Sequence, residues 1–268
     1  MNIKTAPLWQ WILMVIAAFV LALLGYGLTV AASESTQSLV VALVAPVILL
    51  ALYVLVVRWF EKEWAPDILT RKAAGHLLLG LAFGAVYISL VTGIMWLCGC
   101  CSIQQLNWDT HAQLKAFLMF FGVAVGEEII FRGVLFKWID KRWDVWVAMV
   151  VSGLIFGFVH LTNDNATVWS SVAIAIEAGL LFGIAYKWCG NLWFPIGIHW
   201  SWNYTQGNIF GFAVSGTDAG SSWLHVIPTG PDILTGGAFG AEASLIAVLL
   251  GLGFTALFAW LYLKKKKV

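Results

Sequence analysis

Apolar stretches of about 20 residues, the length that crosses a bilayer, recur along the chain at roughly 8–32, 38–60, 73–97, 113–137, 145–161, 167–188, 191–212 and 241–263. Short polar connections separate them. The pattern predicts an all-α, polytopic membrane protein of about eight transmembrane helices, with residues 1–268 forming a single membrane domain and no room for a soluble one. There are no repeats of solenoid period and no low-complexity linkers.

Composition agrees with that reading: 61% of residues are hydrophobic, 11% are charged and the mean hydropathy is +0.87, far from the balance of a soluble domain. Charge placement then orients the helices, because Lys and Arg in short loops stay on the cytoplasmic side. Thirteen of the fifteen basic residues fall at the N-terminus (Lys4), in alternate connections (Arg58, Lys62, Arg71, Lys72; Lys137, Lys141, Arg142; Lys187) and at the C-terminus (Lys264 to Lys267). The connections around Glu34, Asp109, Asp164 and Asp218–Asp232 carry none. Both termini are therefore expected to be cytoplasmic, in a multi-pass protein of the cell membrane if the source is bacterial. The "VAAS" near Ala32 resembles a signal-cleavage site, but the apolar run before it exceeds a signal h-region, so it is read as an uncleaved span. Cys98, Cys100 and Cys101 crowd the outer end of the third span, where they either form a disulfide or remain free thiols. The "KKKK" tail reads as a stop-transfer anchor that attracts anionic lipid.

Against this background "GEEIIFRG", residues 126–133, is anomalous, since each acid or base at a span centre costs roughly 2.5–3.5 kcal/mol. On a helix, residues four apart share a face, so Glu128 and Arg132 pair, with the acid in the favourable N-terminal position. Glu127 points elsewhere and must find its partner on another span, which makes it a functional-site candidate. Two other spans repeat the four-residue stacking: "FGFVH" places Phe156 beneath His160, and "HWSWN" places His199 beneath Asn203. An orphan carboxylate, two imidazoles and an amide on three spans fit a hydrolytic site, with a base for water and donors for an oxyanion.

The three stretches resemble, in order, the EExxxR, FxxxH and HxxxN motifs of the CPBP family, the CaaX-protease and bacteriocin-processing (Abi) intramembrane proteases. The resemblance covers roughly residues 113–212, a catalytic core of four helices flanked by 1–112 and 213–268. It implies an intramembrane endopeptidase, a hydrolase of the glutamate or metalloprotease type. Glu127 would activate water, His160 would share that water, His199 and Asn203 would stabilise the oxyanion, and Glu128 with Arg132 would hold the site together. The implied partners are membrane lipids and a membrane-associated peptide or protein substrate, either lipidated and CaaX-like or a bacteriocin-type peptide, with no nucleic acid. No cofactor is expected, the alternative being zinc held by Glu127, His160 and His199. A catalytically idle immunity or scaffold protein and a proton-coupled transporter are the competing functional classes, although the paired halves typical of transporters are not seen.

Ideal helices leave one mismatch. At 1.5 Å per residue, Glu127 and His199 lie roughly 15 and 12 Å from the cytoplasmic ends of their spans, but His160 lies roughly 22–25 Å from its own, so irregular geometry is expected around His160. Glu177, centred in the sixth span beside Gly179 and Gly183, is read either as a partner of Arg132 or a site histidine, or as a protonated hydrogen-bonder to a neighbouring helix. His76 and His225 are read as incidental, and Trp200 and Trp202 as flanking the cleft.

Overall fold

The computed structural model describes residues 7–9, 11–13, 15, 16, 19, 20, 27, 39–106 and 108–267. Most of the expected first span, with Lys4, Ala32 and the connection around Glu34, lies outside the described residues. Within its range Trp11 packs edge-on against Trp143 and Phe19 against Phe131.

Five helices among the described residues are long and apolar enough to cross a membrane: Leu39–Glu61 (α1), Ala73–Leu97 (α2), Val145–Thr162, Val168–Cys189 and Leu245–Lys266. Two further segments expected to span follow a different pattern. Helix α3, Thr110–Glu128, runs through a π-helical stretch, Ile129–Phe136, into α4, Lys137–Arg142, and this segment carries Glu127, Glu128 and Arg132. Helix α5 is Val145–Val159, ending in a 3₁₀ turn at His160–Thr162. Helix α6, Val168–Ile174, passes through a second π stretch, Ala175–Leu180, into α7, Leu181–Cys189. Helix α8, Trp193–Tyr204, ends in a third, Thr205–Ile209. A single turn, α9 at Asp232–Thr235, precedes α10, Leu245–Lys266.

Glycine sets the closest helix crossings. A Cβ on Gly80 of α2 would lie 2.3 Å from Phe194 O, and one on Gly157 of α5 would lie 2.3 Å from Ser171 O. Backbones approach here as small residues permit between membrane helices, and the second crossing draws the His160 end of α5 against α6 and its π stretch.

Three features differ from the sequence expectation. The connections after α2 and α8 contain a two-stranded antiparallel sheet, β1 (Cys101–Leu106) with β2 (Leu224–Pro228), Cys101 facing Pro228; such short strands between spans leave no mark on a hydropathy pattern. Helix α10 starts at Leu245 rather than 241, because Ser244 caps it by accepting the Ala247 N–H at 3.1 Å and residues Ala241–Ala243 form a 3₁₀ turn. Lys137, expected as a loop charge, is buried. The helix continues to Arg142, which carries Lys137 inside the protein, where its Nζ lies 3.2 Å from Glu61 Oε2 and 3.1 Å from Asp67 Oδ2. Tyr53 donates to the same Asp67 oxygen at 2.6 Å. The cysteines resolve as free thiols, Cys98 exposed and Cys100 and Cys101 buried.

Candidate active site

The end of α3 and the π stretch after it deliver the first motif. Arg132 Nη1 donates to Glu128 Oε1 at 2.9 Å, and Nη2 donates to Ala178 O at 2.8 Å. The guanidinium lies over the rings of Phe156 and Phe182, 4.6 and 5.1 Å from their centroids, and both partners of the ion pair are essentially inaccessible. A buried pair of this kind holds only when other groups support its charges; the backbone carbonyl and the two aromatic faces do so for the guanidinium. Glu127 points away, as helical geometry requires. Its Oε2 is buried and has no hydrogen-bond partner among the described residues.

Helix α5 brings the second motif. His160 closes the helix as its first non-α residue, and its Nδ1 lies 2.7 Å from Phe156 O. A carbonyl can only accept, so Nδ1 donates and the neutral ring keeps its lone pair on Nε2. The change to 3₁₀ geometry is the irregularity expected at this residue.

Helix α8 brings the third. His199 Nδ1 lies 3.0 Å from Glu128 Oε1, and Nε2 lies 3.8 Å from Glu127 Oε2. Glu128 therefore serves two partners rather than being committed to Arg132 alone. Asn203, one turn on, is buried, and its amide has no hydrogen-bond partner among the described residues. His160, His199 and Asn203 line one cavity with Phe156, Ile174, Ala178, Phe182, Trp202, Ser215 and Glu242. The mismatch of depth drawn from ideal helices does not keep His160 from His199: both open into the same space.

Residues 110–205 match the family model for type II CAAX prenyl endopeptidase Rce1-like proteins. The resemblance carried by the three motifs holds over this Rce1-like segment, which starts at the first residue of α3 and ends just past Asn203. The segment is similar to the domain of a prenyl endopeptidase family, and the chain's apolar helices mark an integral membrane protein. No curated protein matches the chain.

Outside the charged and polar motif positions, the Phe156 ring lies under the Arg132 guanidinium and tilted against the His160 ring, 4.8 Å between centroids. Glu177 does not pair with Arg132, which takes the backbone carbonyl next to it, and the Glu177 side chain is buried beside Tyr87 and against Gly251, within electrostatic reach of Glu242. The second π stretch turns the carbonyl of Ala178 inward, and Glu177 follows the neighbouring face. Trp202 lines the cavity and stacks on Tyr87 at 4.2 Å, whereas Trp200 donates to Phe117 O. His76 meets Asn191, and His225 pairs within the sheet.

Two lining residues lie beyond the Rce1-like segment. Glu242 is buried and accepts from Trp202 Nε1 at 3.2 Å and from the Ser215 backbone N–H. An acid inside the expected span 241–263 is the available sequence signal for Glu242; nothing in the sequence marks Ser215. As for a metal, both imidazoles offer Nε2 with Nδ1 engaged, which suits a ligand, but among the described residues no three His, Cys, Asp or Glu side chains converge to hold an ion. The set Glu127, His160 and His199 does not close around a common point in this arrangement.

Proposed function

We propose that the protein is an intramembrane endopeptidase that cleaves a peptide bond of a membrane-associated substrate with a water activated by Glu127. One observation carries the reading: Glu127 Oε2 is buried, free of hydrogen-bond partners and 3.8 Å from His199 Nε2, while its neighbour Glu128 is tied to Arg132 and His199. A carboxylate oxygen without partners is the group able to take a proton from water.

His160 is suited to hold that water, since its neutral ring accepts at Nε2 while Nδ1 is tied to Phe156. His199 is suited to the opposite task. Protonated, it donates from Nδ1 to Glu128 and from Nε2 to a developing oxyanion, and the group of Glu127, Glu128, Arg132 and His199 is then electrically neutral. The Asn203 amide supplies the second oxyanion donor. As the water oxygen bonds to the scissile carbonyl carbon, its proton passes to Glu127. Collapse of the tetrahedral intermediate breaks the C–N bond, and Glu127 returns the proton to the leaving amine.

For the substrate, the family description favours a prenylated peptide ending in a CaaX box, and the apolar exterior of the bundle suits a lipid-anchored chain. The topology that goes with this reading has eight spans and cytoplasmic termini, as the charge pattern indicates. The test is release of the C-terminal fragment from a prenylated CaaX peptide by the purified protein in lipid vesicles. Cleavage by wild type and none by Glu127→Gln is expected; equal cleavage by both would end the proposal. For the natural substrate, Glu127→Gln used as bait in membranes should retain an uncleaved protein that wild type does not.

A further inference from the structure

Ser215 stands out in the connection between α8 and α10. Its backbone has φ +50°, a left-handed conformation that a non-glycine residue adopts only when its surroundings hold it there. The holding groups are visible. Glu242 accepts the Ser215 N–H, and Asn163 Nδ2 donates to Ser215 O at 2.9 Å. Both clamps belong to the site's own framework: Asn163 follows His160 by three residues, and Glu242 is fixed through its second oxygen by Trp202, the residue before Asn203. Beside Ser215, Asn165 Nδ2 donates to Gly216 O at 3.0 Å.

With N–H and C=O both engaged, the hydroxyl is the one donor Ser215 has left. It has no hydrogen-bond partner among the described residues, and Ser215 lines the same cavity as His160, His199 and Asn203. A strained residue clamped at both its N–H and its C=O, in the lining of the candidate catalytic cavity, fits a binding role better than a loop-packing one, because packing alone would be met as well by glycine in a relaxed backbone.

We infer that Ser215 is a substrate-binding residue, whose hydroxyl donates to a main-chain carbonyl of the peptide beside the scissile bond, and that Glu242 is the residue that positions it. The inference rests on the peptidase reading above and names a group that grips the substrate in the cavity shared with His160 and His199. It also places recognition partly on residues outside the Rce1-like match, in the connection after α8 and in the 3₁₀ turn before α10.

The experiment measures steady-state cleavage of the prenylated CaaX peptide by wild type, Glu127→Gln, Ser215→Ala, Ser215→Gly, Glu242→Gln and the Ser215→Ala/Glu242→Gln double variant, with the melting temperature of each. Loss of one neutral hydrogen bond should raise KM about fivefold to tenfold in both Ser215 variants, with kcat little changed. Ser215→Gly is the control for strain, since glycine takes the left-handed backbone freely. Glu242→Gln keeps only one acceptor oxygen for its two donors, so it should raise KM in the same direction and add little in the double variant, because it acts through Ser215. Wild-type KM in Ser215→Gly would overturn the role of the hydroxyl while leaving the peptidase intact. Independent, multiplying effects of Ser215→Ala and Glu242→Gln would overturn the positioning link. Undiminished cleavage by Glu127→Gln, or none by wild type, would remove the peptidase reading and this inference with it.

Discussion

His199 is held by Glu128 through the same oxygen that receives Arg132, with Nδ1 to Oε1 at 3.0 Å. One carboxylate oxygen thus joins the first motif to the third, and it fixes which nitrogen of His199 faces Glu127. The ion pair inferred from four-residue spacing is the hub of the site rather than a side feature of one helix.

Glu127→Gln keeps side-chain volume and removes the proton acceptor. The variant should fold and insert as wild type does and show no peptide cleavage above background. Normal turnover in vesicles would contradict the assignment of the base.

Glu128→Ala should behave differently. It leaves Arg132 buried without its counter-ion and His199 without its anchor, and a broken buried pair costs about 3–5 kcal/mol. A lower melting temperature in detergent should accompany lost activity. An inactive protein as thermostable as wild type would show that Glu128 is not structural.

Gly157→Leu tests the crossing that sets His160. Even a Cβ at this position would lie 2.3 Å from Ser171 O, so the larger side chain must separate α5 from α6, and overpacking of this kind costs about 1–3 kcal/mol. Activity should fall further than stability accounts for, because His160 moves with the helix. Cleavage at the wild-type rate would show that this crossing does not position the site.

Carboxylate-activated and zinc-activated water part ways under chelation. Extended dialysis against a strong chelator should leave peptide cleavage largely intact. Loss of activity that added zinc restores would establish the metal mechanism. Asn203→Ala, removing one oxyanion donor, should lower kcat on the order of 10²–10³-fold with KM little changed; a change confined to KM would reduce Asn203 to a packing role.

Reporter fusions address the topology. A reporter after Lys141 should read cytoplasmic and one after Asp164 external, as the distribution of Lys and Arg indicates. Reversed readings would dismantle the eight-span arrangement.

Much of the site is legible in the sequence because four-residue stacking is a local rule. It pairs Glu128 with Arg132, frees Glu127, and puts His160 and His199 on faces able to meet. What local rules cannot convey is how helices turn relative to one another. The three π stretches interrupt the regular period beside the site residues, as π turns often do at functional positions, and an apolar pattern does not tell them from ordinary helix. Ser215 escapes sequence reasoning for a related cause, since its importance lies in clamps between segments distant along the chain and a Ser is not unusual where it stands; Glu242 shows in the sequence as an acid inside an expected span, but its partners Ser215 and Trp202 do not. Charge counting misplaces Lys137 because it treats every Lys near a span end as solvated, whereas this one meets acids from two other segments.

The buried Lys137 has a consequence for the register of its helix. It grips Glu61 and Asp67, while the Glu128 and Arg132 end grips His199 and Ala178, so the same helix is clamped at two levels whose angular phase must agree. A π turn accommodates one residue more than an α turn, and the stretch Ile129–Phe136, which contains Arg132 and ends just before Lys137, is where that extra residue is absorbed. Removing a single residue there would rotate one clamp against the other by about 100°. The segment works as a vernier: its length sets the phase between the two clamps, whatever the side chains along it.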